Sequence, residues 1–315
     1  MSNYVNMNDK KHHEKLMGFN GKASVFPPMV IIAYLYVCNS RCPYCPYTAN
    51  PTARQKHSDC KYMPDDVFKK IADETGKYGS VLRFTGGGEP FLHKNIVEHT
   101  KYATTAGCKV SIITNGSMDV SGVLDVADMI EFSVDAGNAQ DYAKARPGLK
   151  WDFLNENVIN AIKTRKKTRI ITSIINQKGI DIEQAKKHWG FVDAVQVRKF
   201  LSFGTNQDNS ADKTAYIQDV RIPCPWPFDR LLINTKGQYT ICNIDVGFDY
   251  AFSDINSISI KDAWHSKEME LLRSAHTSGL GRLISICRSC EDWKYRTWDY
   301  SYFKLREYAD GNITA

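Results

Sequence analysis

Val30-Ile-Ile-Ala-Tyr-Leu-Tyr-Val37 runs directly into Cys38-Asn-Ser-Arg-Cys42-Pro-Tyr-Cys45, so a β-branched segment is followed by a loop with three thiols. Three thiolates on one short segment leave a metal position open, whereas a closed structural zinc site takes four protein ligands. A zinc knuckle completed by His57 or Cys60 is the alternative, but no second CxxC or CxxH follows at finger spacing. The loop therefore predicts a metal or cluster site that accepts an exogenous ligand.

Strand-like and helix-like segments alternate from residue 28 onwards. The β-branched runs are Val30–Val37, Val81–Phe84, Lys109–Thr114, Met129–Val134, Arg169–Ile175 and Ala194–Phe200. The helix-like segments are Asp65–Tyr78, Lys94–Ala106, Ser121–Ala127, Asn155–Lys167 and Asp181–Trp189. This alternation predicts βαβ units and a mostly parallel sheet. Six strands suffice for a partial (β/α)6 barrel but not for a closed eight-stranded one, so we expect an α/β fold of the partial-barrel kind.

The composition changes after Phe200. Residues 202–213 are rich in Asn, Asp, Gly and Ser, which is typical of a linker. Beyond them, Thr235-Lys236-Gly237 predicts a hairpin turn, and Ser259–Ser274 predicts a helix. The expected core positions of this helix are Ile260, Trp264 and Leu271. We expect an N-terminal extension (1–24), the barrel (25–203), a linker (204–222), a small C-terminal α+β module (223–295) and a C-terminal helix (296–315).

Composition and charge exclude several classes of protein. The 315 residues are 43% hydrophobic and 24% charged, with no signal-peptide pattern and no apolar run long enough to span a bilayer. The net charge of +6 lies well short of the dense basic patches of nucleic-acid binders. We therefore expect a cytoplasmic protein with neither nucleic acid nor a membrane as partner. The odd count of nine cysteines favours metal ligation over a disulfide framework.

The CxxxCxxC loop, with aromatic Tyr44 just before its last cysteine, resembles the motif of the radical S-adenosylmethionine (SAM) enzymes. The resemblance implies a 4Fe–4S cluster on Cys38, Cys42 and Cys45, whose remaining iron chelates SAM. It also implies reductive cleavage of SAM to a 5′-deoxyadenosyl radical that abstracts a hydrogen atom. Reduction of this kind implies flavodoxin or ferredoxin as the electron donor.

Landmarks along the rest of the barrel, from about residue 28 to 200, match this family in order. Thr85-Gly-Gly-Gly-Glu-Pro90 follows the second strand, and glycine permits close backbone approach. The resemblance implies that the methionine amine of SAM lies against this loop. The SAM contacts implied are Tyr44, Gly86, Gly87, Gly88, Glu89, Asn115, Ser133, Asp135, Ser173 and Val197. Ser133 and Asp135 have an alternative role as helix caps.

A second cysteine group lies in the last third of the chain, at Cys224, Cys242, Cys287 and Cys290. Four thiolates fit either zinc or an Fe–S cluster. Together with Cys224-Pro-Trp-Pro-Phe228 and Asn234–Gly237, this group resembles the SPASM domain of radical SAM enzymes in its shortened "twitch" form. The resemblance implies an auxiliary 4Fe–4S cluster, as in a twitch dehydrogenase that oxidises an aminocyclitol alcohol.

The reaction itself is less constrained by the motifs. We expect oxidation of a sugar or cyclitol alcohol, with Arg198 as the proton acceptor. The alternatives are epimerisation, with Cys60 as the hydrogen donor, modification of a peptide, and a non-catalytic metal-binding scaffold. Cys108 is expected to be a buried filler, because it precedes the third strand and so lies away from the site.

Overall fold

The fold is that of a computed structural model, which describes residues 23–200, 224, 226–288 and 290. The strands are β1 (Met29–Ala33), β2 (Val81–Thr85), β3 (Lys109–Thr114), β4 (Met129–Ser133), β5 (Arg169–Asn176), β6 (Ala194–Lys199), β7 (Arg230–Ile233), β8 (Gln238–Thr240) and β9 (Ala251–Asp254). The α-helices are α1 (Pro46–Ala49), α2 (Pro51–Gln55), α3 (Asp65–Lys77), α4 (Ile96–Thr105), α5 (Ala139–Ala145), α6 (Trp151–Thr164), α7 (Ile182–His188), α8 (Trp226–Asp229), α9 (Ile260–Trp264), α10 (Lys267–Thr277) and α11 (Ser285–Arg288). The expected linker (204–222), the expected C-terminal helix (296–315) and residues 1–22 of the expected N-terminal extension lie outside the described residues.

The described strands form one sheet in the order β6-β5-β4-β3-β2-β1-β7-β8-β9. Strands β1 to β7 pair in parallel, and β8 and β9 add in antiparallel orientation. Helices lie between most successive parallel strands, and a 3₁₀ turn lies between β3 and β4, because a parallel pair needs a long crossover. The expected α/β fold with a parallel, partial-barrel sheet is confirmed.

Alternate residues of β1 face opposite sides of the sheet. Val30 and Ile32 belong to the large core beneath the helices. Met29 and Ile31 belong to a smaller core with Ile171 of β5, on the inner face of the curved sheet. Because both faces of the strand are buried, β1 reads as a continuous apolar run. The neighbouring strands carry Arg83 and Ser111 in register with Ile31, so polar side chains lie beside this smaller core.

The C-terminal part of the chain joins the same sheet. Strand β7 pairs with β1 from Met29↔Arg230 to Ile32↔Ile233. The predicted hairpin is present as β7 and β8, and its turn ends at Gly237, whose φ of +79° suits glycine. The C-terminal module is therefore attached to the barrel by a backbone hydrogen-bond ladder as well as by side-chain packing.

Two predicted helices differ from the structure. Ser121–Ala127 contains only a 3₁₀ turn, Ser121–Val123, because Asp119 accepts a hydrogen bond from the Ser121 amide at 3.0 Å and favours a tight turn. Ser259–Ser274 is divided into α9 and α10 at Ser266, whose side chain caps the second helix.

This break shifts the helical phase in α10. Ile260 and Trp264 are fully buried, as predicted. The prediction for Leu271 is wrong, since 56% of the residue is exposed and its neighbour Leu272 is buried instead. No helix in the described ranges combines the length and apolar character that crossing a bilayer requires.

Candidate functional site

A cavity of about 380 Å³ lies at the carboxyl ends of the parallel strands. Ligand sites commonly have volumes of about 300–1,000 Å³. Of the residues predicted from sequence, its wall includes Cys38, Cys42, Tyr44, Cys45, Gly86, Gly88, Glu89, Asn115, Ser133, Asp135, Ser173 and Arg198. Most of the predicted site thus meets in one place, as expected when loops follow parallel strands at the same edge of a sheet.

The three thiols of the first cysteine group all border this cavity and form no disulfide. The loop is held by its own backbone, since the Cys45 amide donates to the Cys42 carbonyl at 3.0 Å. The hydroxyl of Ser40 lies 3.2 Å from the Cys42 sulfur. The Arg146 guanidinium also approaches that sulfur, at 3.9 Å. Two polar groups, the Ser40 hydroxyl and the Arg146 guanidinium, therefore lie beside the Cys42 sulfur.

The zinc alternative does not fit the positions of His57 and Cys60. The buried His57 ring stacks on Tyr36 with ring centroids 3.9 Å apart, and burial lowers its pKa to about 4. Cys60 does not border the cavity, and its sulfur faces the carbonyls of Tyr62 and Thr235 at 3.5 and 3.7 Å. The structure therefore does not bring Cys60 to this cavity, and its predicted role as hydrogen donor stays a prediction. Cys108 is buried beneath α3, as predicted.

The number and type of donors in the first cysteine group suit an iron–sulfur cluster. In the described part of the chain, no three Cys, His, Asp or Glu side chains converge as ligands of a single metal ion do. Zinc requires such convergence, whereas each thiolate of a 4Fe–4S cluster binds its own iron. Cys38, Cys42 and Cys45, which all border the cavity, would hold a 4Fe–4S cluster and leave one iron for an exogenous ligand.

Asp135 is the centre of a buried charge network beside this loop. Its carboxylate pairs with Arg146 at 2.7 Å and accepts hydrogen bonds from the Tyr44 hydroxyl and from the Ile175 amide, the latter at 2.9 Å. Asp135 has a φ of +55°, which Asp tolerates better than most residues. Burial raises the pKa of the Tyr44 hydroxyl, which therefore stays protonated. Asp135 thus holds Tyr44 and Arg146 in place, and its contact with SAM stays a prediction.

The three glycines are required by close approach of the chain to itself. A Cβ on Gly88 would lie 2.0 Å from the Val37 carbonyl, and one on Gly87 would lie 2.4 Å from the Tyr36 ring. Gly86 has a φ of +87°. Gly87 does not border the cavity, whereas Gly86 and Gly88 do. The loop therefore packs directly on the segment that leads into the first cysteine group.

Glu89 anchors the glycine loop from within. It accepts hydrogen bonds from the Thr114 hydroxyl and the Asn115 amide, both at 2.7 Å, and from the Phe91 amide at 3.1 Å. Burial raises the pKa of its carboxyl. The Asn115 side chain in turn donates to the Asn39 side chain at 2.8 Å. Glu89 therefore ties together the loops after β2 and β3 and the first cysteine loop.

Arg198 borders the cavity but is held as a cation. Its guanidinium lies 2.7 Å from Glu131 of β4, which also pairs with Arg83 at 2.5 Å. Arginine does not lose its proton in proteins, so the predicted role of Arg198 as proton acceptor is wrong. Val197 does not border the cavity, because neighbouring residues of β6 point to opposite faces. Glu131 was missed, although a lone acid in the apolar run Met129–Ser133 is a usable signal.

The second cysteine group reaches the same cavity through Trp226. This side chain borders the cavity and packs against Cys224 and Cys242. The Arg230 guanidinium lies over the Trp226 ring, 4.7 Å from its centroid. Cys287 and Cys290 are buried and joined by a backbone hydrogen bond of 3.3 Å. All four are thiols from three separate segments, a set that suits a fully ligated cluster.

The two cysteine groups are connected by packing between their segments. Tyr36 and Tyr47, on either side of the first group, share an apolar cluster with Val246. Lys56 pairs with Asp249, and the Thr235 hydroxyl donates to the Cys60 carbonyl at 2.6 Å. These contacts join the segment that carries the first cysteine group to the C-terminal module that carries the second.

The chain is similar to several known proteins. PqqA peptide cyclase of Ruegeria pomeroyi is 29% identical over 157 residues, which are 48% of this chain but only 41% of that protein. BtrN, solved in complex with AdoMet and 2-DOIA, superposes with a TM-score of 0.57 at 17% identity over 89% of this chain and 99% of that chain. Streptococcus suis SuiB, solved bound to precursor peptide SuiA, gives 0.64 at 14% identity over 90% and 74%. At these identities the two structures show the fold alone.

Family models match both parts of the chain. The radical SAM superfamily model matches residues 32–189, which contain the first cysteine group. The SPASM model, an iron–sulfur cluster-binding domain, matches residues 224–291, which contain the second. The cofactors are accordingly SAM and iron–sulfur clusters. The chain belongs to the radical SAM superfamily and carries a C-terminal SPASM domain.

Proposed function

We propose that this chain is a peptide-modifying radical SAM enzyme, in which Cys38, Cys42 and Cys45 hold one 4Fe–4S cluster and Cys224, Cys242, Cys287 and Cys290 hold the other. When bound, the cluster and SAM supply a 5′-deoxyadenosyl radical for hydrogen-atom abstraction. The chain's own residues position the reactants and exclude water from the cavity.

One observation carries this proposal. A single cavity is bordered by the first cysteine group and by Trp226, which packs against Cys224 and Cys242 of the second group. Trp226 sets the closest approach of a substrate to Cys224 and Cys242. Arg146 and Tyr44, both fixed by Asp135, form the polar end of the cavity beside Cys42. A substrate bound here lies between the two cysteine groups.

The wall of the cavity suits a peptide. Asn115, Ser133, Ser173 and Asn243 offer donors and acceptors to backbone amides. Arg198 and Arg230, held by Glu131 and Asp229, offer guanidinium edges to carbonyl or carboxylate oxygens. The sequence similarity to a peptide cyclase and the shared fold with a peptide-bound enzyme support the same reading.

Oxidation of a sugar or cyclitol alcohol is the second candidate. It is favoured by the match to BtrN, which covers 99% of that chain. This candidate needs a proton acceptor other than Arg198. Epimerisation loses its expected donor, because among the described residues that border the cavity the thiols are those of the first cysteine group.

The test is substrate-stimulated SAM cleavage by the anaerobically reconstituted full chain with dithionite. Synthetic peptides encoded by short reading frames beside its gene form one set of probes, and 2-DOIA and common aminocyclitols form the other. We expect a peptide to raise 5′-deoxyadenosine formation about tenfold above the substrate-free rate and to change in mass. Stimulation by an aminocyclitol that loses two hydrogens, with no response to any peptide, would contradict the proposal and support the second candidate.

A further inference from the structure

His276 lies between two segments that carry cysteines of the second group. It belongs to the last turn of α10, and only 3% of the residue is exposed. The backbone amide of Cys224 lies 3.2 Å from its Nδ1. Its Nε2 lies 3.6 Å from the sulfur of Cys287. One imidazole therefore touches two of the four thiol-bearing residues, which are far apart in sequence.

The Cys224 contact fixes which nitrogen of His276 carries the proton. A backbone amide is only a donor, so Nδ1 must accept from it. A neutral imidazole then has its proton on Nε2, the nitrogen that faces Cys287. The contact with Cys287 is accordingly an N–H donated to sulfur.

We propose that His276 is the positioning residue of the second cluster: it fixes Cys224 relative to Cys287 and donates a hydrogen bond to the Cys287 thiolate. This inference rests on the assignment of that cluster to Cys224, Cys242, Cys287 and Cys290. Hydrogen bonds to ligand sulfurs withdraw charge from the cluster and stabilise its reduced form. His276 therefore raises the reduction potential of the second cluster and makes it a better electron acceptor.

Two substitutions separate the two contacts of the ring. In His276→Gln the side-chain amide nitrogen can occupy the place of Nε2, so donation to Cys287 is kept and the acceptor for Cys224 is lost. In His276→Asn the amide oxygen can occupy the place of Nδ1, so the acceptor is kept and the donor to Cys287 is lost. His265→Gln is the matched control, because His265 is an exposed histidine of the same region that contacts the Val25 carbonyl.

The measurement is an EPR-monitored redox titration of the full chain in a Cys38→Ala/Cys42→Ala/Cys45→Ala background, in which only the second cluster remains. We expect a midpoint potential near that of the parent for His276→Gln and His265→Gln, and a lower one for His276→Asn. Iron content and far-UV circular dichroism are measured on each sample.

The outcomes distinguish the possible failures. Equal potentials for the parent and His276→Asn, at equal iron content, would overturn the hydrogen bond to Cys287. Loss of iron from both His276 variants with an intact fold would overturn the tuning role. If the background itself lacks the approximately four irons of one cluster, the ligand assignment has failed and the inference falls with it.

Discussion

The two cysteine groups of this chain are built in different ways. The first lies within residues 38–45, a loop that follows β1 and is fixed by backbone contacts such as Glu89 N–H to the Val37 carbonyl at 2.9 Å. The second is gathered from the segments at Cys224, Cys242 and Cys287–Cys290, which are brought together by a hairpin and by α10. A local loop keeps its shape without metal, whereas a distributed set depends on metal to hold its segments together. We therefore expect loss of metal to affect catalysis at the first group, and both catalysis and folding at the second.

The largest effect is expected at the first group. Cys42→Ser removes one of the three proposed cluster ligands and leaves the barrel core beneath the loop unchanged. We expect 5′-deoxyadenosine formation to fall at least about 1,000-fold, with a thermal unfolding midpoint within about 2 °C of the parent. Chromatography of the products and calorimetry measure the two quantities.

The matched control is Cys60→Ser. Cys60 lies in the same half of the chain as Cys42 but does not border the cavity. It should cleave SAM at the parent rate. Residual cleavage by Cys42→Ser at a rate near that of the parent would refute the ligand assignment.

The second group should affect folding where the first does not. Cys287→Ser/Cys290→Ser is expected to raise the rate of thermolysin cleavage within residues 226–288 about tenfold, because the segments lose the metal that joins them. Cys38→Ser/Cys45→Ser removes the same number of thiols from the local loop and should retain the parent's resistance. Equal resistance of both double variants would remove the difference between the two groups.

Asp135→Asn tests whether the first group is also supported by a distributed network. The substitution removes one partner of a buried ion pair and leaves the Arg146 charge uncompensated. Asn keeps the shape of Asp and tolerates the positive φ. We expect a fall of about 3 kcal/mol in the free energy of unfolding, measured by urea denaturation.

Asp125→Asn provides the reference for that measurement, since Asp125 forms an exposed pair with Lys166 at 3.5 Å. Its effect should stay within about 0.5 kcal/mol. If the two variants lose equal stability, the Asp135 network contributes nothing beyond a surface pair.

The smallest difference concerns two neighbouring leucines of α10, the helix that supports the second group. Leu272→Ala opens a cavity in the core and is expected to cost about 2–3 kcal/mol of unfolding free energy. Leu271→Ala, on the exposed face, is expected to cost less than about 0.5 kcal/mol. Urea denaturation measures the unfolding free energy of both variants. A larger loss for Leu271→Ala than for Leu272→Ala would contradict the helical phase of α10 described above.

Sequence reasoning succeeded where the determinants are local. Lys109–Thr114 is a strand with the predicted bounds, because a β-branched run between a glycine and an Asn-Gly turn leaves little choice. The first cysteine loop and the glycine loop each follow a strand of a parallel sheet, so their meeting was predictable from strand order alone.

The remaining features depend on register and on helix phase. Glu131 meets Arg198 only because β4, β5 and β6 pair in a particular register, which no local pattern specifies. The phase error at Leu271 came from treating Ser259–Ser274 as one helix. Ser266, followed by the acidic residues Glu268 and Glu270, was the available sign of a new helix start.

The ladder between β1 and β7 has a consequence for the behaviour of shortened chains. Without β7, β1 would become an edge strand with its backbone amides and carbonyls unpaired on one side. All five residues of β1 are buried in the intact fold, so that edge would be apolar as well as unpaired. A chain ended at residue 200 would therefore tend to self-associate through β1 and form insoluble aggregates. We therefore expect pairing with β7 of the SPASM domain to keep β1 from associating with other chains.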